Sequence, residues 1–124
     1  MSDKKNKKFT YAMTVSGTEK HVNEASKNFY RAKMLMEMYS CSEYSLKYRD
    51  NAISILAEYM TNMRFYEEFM QDQLLSDNRI KDKKTGQETI IVPMEEFMII
   101  NSYLVTTAAC ENDLEALGIS MRLH

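Results

Sequence analysis

Three glycines and one proline are the only strong backbone breakers in this 124-residue chain. A sandwich or barrel needs a turn about every 8–12 residues, and a phosphate-cradling loop needs clustered glycines, so both architectures lack their turn chemistry here. Helices are left. The length is slightly below the ~150 residues typical of one domain, which sets the expectation of a single core.

No uninterrupted apolar run approaches the about 20 residues of a membrane span; Phe97-Met98-Ile99-Ile100 is a typical one. Met1-Ser2-Asp3-Lys4-Lys5-Asn6-Lys7-Lys8 is basic like the start of a signal peptide, but no apolar segment follows it. The expectation is a cytoplasmic protein without a membrane partner. Cys41 and Cys110 are isolated, fit neither a disulfide framework nor a zinc site, and are read as reduced thiols.

The net charge of -2 conceals an uneven distribution. Residues 1–49 carry ten Lys/Arg against five Asp/Glu, whereas 50–75 and 93–124 each carry one against five. A basic front on an acidic chain has two readings of equal weight: an anionic partner, because a lysine placed against phosphate releases a condensed counterion, or a solvated arm that only keeps the chain soluble.

Apolar residues recur at steps of three and four through Val22, Ala25, Phe29, Ala32, Met36 and Tyr39, which predicts a first helix from Thr18, capped by that residue. At 100° per residue, Lys20, Glu24, Lys27 and Arg31 project from its opposite face. Ser40-Cys41-Ser42-Glu43 has the spacing of a reciprocal capping box and announces a second helix. That helix carries Ala52, Leu56, Tyr59, Met63, Tyr66 and Met70 at helical spacing and meets no breaker before Leu75. About 30 residues make a rod of about 45 Å, longer than the roughly 35 Å diameter of a compact chain this size. An overhanging rod must cover its apolar residues, and a second copy can do so, so Tyr59, Met63, Phe65, Tyr66 and Met70 are expected at an oligomer interface. Phe65 is the sharpest of these, since it falls among polar neighbours.

Residues 80–92 read as two short arms about a polar turn containing Gly86, a small hairpin that should lean on the helices. Pro93 pre-sets the first turn of a third helix, with Glu95 and Glu96 placed for its dipole. Phe97, Ile100, Leu104, Ala108 and Leu114, with Tyr103, Thr107, Cys110 and Leu117 alongside, are expected to be its buried side, and Gly118 to stop it. The expected fold is mainly α: three main helices, one long, with a short β-hairpin between the second and third, oligomerising. A basic flexible arm (1–17), a helical domain (18–118) and a C-terminal tail (119–124) divide the chain.

Catalytic chemistry is not visible. His21 and His124 are the only imidazoles, Glu67-Glu68 and Glu95-Glu96 diverge by about 100° on their helices, and Cys41 has no basic constellation in sequence. No catalytic, cofactor-binding or metal-ligating residue is expected, and the chain is read as a non-enzyme.

The series of a basic start, a helix, a long helix, a hairpin and a proline-started helix resembles the small subunit of a tailed-bacteriophage terminase. Asp50-Asn51-Ala52-Ile53-Ser54-Ile55-Leu56-Ala57-Glu58-Tyr59-Met60 with Arg64-Phe65-Tyr66-Glu67-Glu68-Phe69 is similar to that family's acidic residue opening a Leu/Ala/Tyr-rich helix. Leu114-Glu115-Ala116-Leu117-Gly118-Ile119-Ser120 with Arg122 is similar to its Leu-Gly-Leu-Thr-Pro close, Met121 standing in the proline's place. The resemblance implies a non-catalytic homo-oligomer, often a ring, that binds double-stranded viral DNA and recruits or stimulates a large ATPase-nuclease subunit in the host cytoplasm. Lys4, Lys5, Lys7, Lys8, Lys20, Lys27 and Arg31 are the candidate phosphate contacts. The rival reading is a helical oligomeric adaptor that binds another protein and ignores DNA.

Overall fold

The computed structural model describes residues 10–40, 43 and 46–121. Lys4, Lys5, Lys7, Lys8, Cys41, Ser42 and Arg122, all singled out in the sequence, lie outside the described residues. The element order is β1 (Thr10–Thr14), α1 (Val15–Ser40), α2 (Leu46–Leu74), β2 (Arg79–Lys81), β3 (Glu88–Pro93) and α3 (Met94–Ala116).

The expected three helices and hairpin are present. The hairpin is joined by a third strand, because β1 pairs antiparallel with β3 on the edge that β2 leaves open, giving the order β1-β3-β2. Residues 10–14, assigned to the basic arm by composition, are therefore part of the fold. Their sequence Thr-Tyr-Ala-Met-Thr carries the β-branched and aromatic residues of a strand, and Met13 and Ile90 are paired neighbours, both covered by the helices.

α1 begins three residues before the expected cap. The Thr14 hydroxyl accepts the Gly17 N–H at 3.0 Å, while Thr18 is buried in the first turns and donates its hydroxyl to the Thr14 carbonyl at 2.8 Å. A Cβ at Gly17 would lie 2.7 Å from the Thr14 hydroxyl oxygen, so glycine is what lets the cap close. α2 is 29 residues, about 43 Å long. At its C-terminus the Arg79 guanidinium donates to the carbonyl of Leu74, an acceptor that the helix leaves orphaned, and to that of Ser76 just beyond it. α3 ends where Gly118 adopts φ 81°, with Ile119 N–H donating to the Leu114 carbonyl and Gly118 N–H to that of Glu115, both at 2.9 Å. This is a Schellman closure, and the burial of Ile119 beside Leu114 supplies its apolar contact.

α2 runs between α1 and α3, packing on both, and the sheet leans on the helices through Ile90, Val92 and Met13. Leu56, Tyr59, Met70 and Leu114 are among the largest fully buried side chains. The covered side of α3 differs from the sequence expectation: Ile100, Cys110 and Leu114 are buried, but Leu104 and Ala108 face solvent. From Phe97 to Cys110 the helix has no charged residue on any side, so the pattern could not choose a face, and contact with α2 did.

Candidate functional site

The expected phosphate contacts divide. Lys20 and Lys27 stand exposed on α1, as their helical phase requires. Arg31 does not. It is half-buried, its Nη2 donates to the Ser120 carbonyl at 3.0 Å, and its Nε is enclosed without a partner. A guanidinium on that side of α1 meets the segment after Gly118 rather than water, so Arg31 anchors the chain end and is removed from the set of DNA contacts.

The expected oligomer residues divide as well. Tyr59, Met63, Tyr66 and Met70 are buried within the chain itself, the first packed without any exposure. Their periodicity marked the seam of α2 with its own neighbours, since α1 and α3 cover the rod that length alone suggested would overhang. Phe65 is half exposed, between a shallow groove with Ala57, Glu58 and Thr106 on one side and another with Phe29, Met36 and Met60 on the other.

The sequence reading gives no binding role to the hairpin turn, though four basic residues among 76–92 are the signal that marks it. Lys81, Lys83 and Lys84 are all exposed. The turn holds them in place: Asp82 accepts the Lys84 N–H at 2.8 Å through its carboxylate and the Gly86 N–H at 2.7 Å through its carbonyl, and Gly86 takes φ 74°. The register that sets Thr14 opposite Thr89 brings this turn to the end of the sheet where α1 begins. The chain enters β1 at the other end, where Thr10 lies beside Pro93.

Between α2 and α3 lies a covered polar seam. Asn62 donates from Nδ2 to the Tyr103 carbonyl at 3.0 Å and to Thr107 Oγ1 at 2.7 Å, and Gln73 donates to Glu96 at 2.8 Å. Cys110 donates its thiol to Glu58 at 3.3 Å, and Tyr59 its hydroxyl to Glu111 at 3.4 Å. Burial first, then the Glu58 hydrogen bond and charge, push the Cys110 thiol up to about 12. Burial followed by the charge of Glu111 raises Tyr59, and burial raises Tyr66. These groups keep their protons at neutral pH, and the hydrogen bonds of the seam tie α2 to α3.

A cleft of about 330 Å³ opens where β1, α1 and α3 meet, lined among others by Tyr11, His21, Tyr66, Phe97 and Leu104. Tyr11 stacks on Phe97 at 4.5 Å between ring centroids and closes part of it. His21 is the only imidazole in this lining. Among the described residues no group of three or more His, Cys, Asp or Glu side chains is placed to hold a metal ion. No described helix is long and apolar enough to cross a membrane. Compared with known protein families, with curated proteins and with solved structures, the chain matches none.

Proposed function

We propose that this chain is a non-catalytic DNA-recognition and regulatory subunit of a viral packaging terminase, which binds duplex DNA through lysines and brings it to a large ATPase-nuclease subunit. The observation that supports this reading is the mainly helical order of elements, a long Asp50-containing helix, a lysine-bearing hairpin and a helix that follows Pro93 and closes at Gly118, the same series on which the resemblance was drawn. The hairpin supports it further. Lys81, Lys83 and Lys84 sit on a short turn held by its own hydrogen bonds, so three cations are presented with little ordering left to oppose phosphate contact. Lys4, Lys5, Lys7 and Lys8 add four cations in the sequence before Thr10, and repetition across subunits would multiply weak contacts into avidity.

The test is fluorescence anisotropy with a labelled duplex at about 50 and about 200 mM salt. Binding should weaken steeply with salt. Removing residues 1–8, and separately the pair Lys83→Ala with Lys84→Ala, should each lower affinity and flatten the slope by about 0.9 for each phosphate no longer neutralised. Unchanged affinity in both variants overturns the lysine contacts, and a wild-type chain indifferent to duplex at low salt overturns the DNA reading. Stimulation of the ATPase of a large subunit encoded beside this chain tests the terminase assignment. A chain that binds no DNA but captures a different protein would be the adaptor.

A further inference from the structure

The sheet has two edges, and they are built differently. β2 at one edge is three residues long and two of them are Arg79 and Lys81, the short, charged form that keeps an edge from pairing with another chain. β1 at the other edge is five residues, Thr-Tyr-Ala-Met-Thr, with no charge, proline or glycine among them. The register shows which of its groups are free. Asp82 N–H donates to the Gln87 carbonyl and Ile91 N–H to that of Asn78, both at 2.9 Å, so Gln87, Thr89 and Ile91 bond on the side of β2. Bonding alternates along an antiparallel ladder, which leaves Ile90 and Val92 to bond β1 through their partners Met13 and Tyr11. Ala12 lies between those two. It therefore turns its N–H and C=O away from the sheet, it is exposed, and no described strand lies beyond it.

The cleft of about 330 Å³ runs along this edge. Residues 11–14 all line it, with Tyr66 and Met70 from α2 and Phe97 and Leu104 from α3. A strand added antiparallel to β1 would exchange both bonds of Ala12 with one of its own residues. The residues before and after that one would stand opposite Tyr11 and Met13 and share their face of the sheet. Tyr11 stacks on Phe97 and Met13 is buried, so this face is turned to the helices, and the two incoming side chains enter the cleft.

The lining selects what enters. It holds the His21 imidazole and no Asp, Glu, Lys or Arg, so a charged side chain would meet no counter-ion there. Burial first, and then the charge of Glu24, hold the proton on Tyr66, so an anion is disfavoured further and a DNA phosphate finds no cation to meet. The rings of Tyr11, Tyr66 and Phe97 and the thioethers of Met13 and Met70 suit an aromatic or large aliphatic group. A helix pairs its backbone groups within itself and has none to offer Ala12, whereas an extended segment has one donor and one acceptor at the required spacing.

We propose that β1 and this cleft form a strand-addition site, where an extended segment of a partner protein pairs antiparallel with Ala12 and sets two uncharged side chains, one of them aromatic, into the cleft on either side of the pairing residue. The site uses none of the lysines and lies at the opposite edge of the sheet from β2, so it stands apart from the DNA reading.

The experiment selects linear peptides from a random displayed library on the full chain and measures the enriched peptide, synthesised with blocked ends, by fluorescence anisotropy. Enriched sequences should share two large uncharged residues separated by one position, at least one of them aromatic. N-methylation of the residue between them removes the N–H that Ala12 accepts and should weaken binding about tenfold or more. Ala12→Pro should do the same, because proline there deletes an outward N–H and leaves the ladder bonds of Tyr11 and Met13 in place. Leu104→Glu alters the cleft without touching the sheet and should also abolish binding, with far-UV circular dichroism confirming that each variant is folded. No enrichment, a peptide that tolerates the N-methyl group, or equal binding to Leu104→Glu and wild type overturns the proposal. A wild-type dimer that excludes the peptide and is dissolved by Ala12→Pro would make the occupant a second copy. Binding that appears only after residues 1–8 are removed would make it the chain's own start, and either result overturns a partner protein. Duplex DNA added at low salt should leave peptide affinity unchanged, so loss of DNA binding and loss of peptide binding are read separately.

Discussion

Asn62 is covered, and its amide spans from α2 to the Tyr103 carbonyl and the Thr107 hydroxyl of α3. Replacing it with alanine removes a donor and leaves Thr107 with one partner fewer, so Asn62→Ala should lower stability by about 1–3 kcal/mol, read as a reduced urea midpoint. Cys110 gives a chemical test. Its thiol is raised from an ordinary value of 9.0 to about 12 by burial and by Glu58, so the folded state holds the proton longer than the unfolded chain. Below pH 9 both states are protonated and the stabilisation is whole; as pH climbs from 9 toward 12 the unfolded state releases its proton first, and stability falls. Urea midpoints measured from about pH 7 to about pH 10 should decline, and Cys110→Ala should flatten the decline. A midpoint profile that Cys110→Ala leaves unaltered would contradict the burial argument.

At the scale of elements, the fold is held at its helix ends by devices with few side chains. Gly118 at φ 81° permits the Schellman closure of α3, and nothing lies near enough to obstruct an added Cβ. The penalty for alanine there is backbone strain alone, so Gly118→Ala should cost about 1–2 kcal/mol and lower the melting temperature with no change in the folded far-UV spectrum. Arg79 acts at the other end of the seam. Its guanidinium closes α2 through Leu74 and Ser76 and also lies 3.7 Å from Glu88 on the paired strand, so one side chain joins a helix end to the hairpin. Arg79→Ala should loosen the hairpin preferentially, seen as faster amide exchange at Ile90 and Ile91 than in the middle of α2.

For the whole molecule, three helices in a layered order leave two apolar faces uncovered, and the sheet at one end carries its cations on a turn. If duplex is held through the lysines of that turn, raising the salt should release it while the melting temperature, set by the apolar core, stays nearly constant.

The sequence by itself determined the element types and their order. Helical spacing from Val22 to Tyr39 and from Ala52 to Met70 and the breakers at Gly86, Pro93 and Gly118 are local signals, set within a few residues of where they act. It also placed Lys20 and Lys27 at solvent, because each lies opposite an apolar stripe. Tertiary structure decided what depends on partners distant in the chain. β1 exists because β3 had an open edge some eighty residues away; Arg31 turned inward because the segment after Gly118 crosses its face; and α3, uncharged over its central turns, had no periodicity from which its covered side could be read. A stripe shows that a residue is buried. Only the packing of α2 between its neighbours shows by what, which is why Tyr59, Met63, Tyr66 and Met70 belong to the chain's own core.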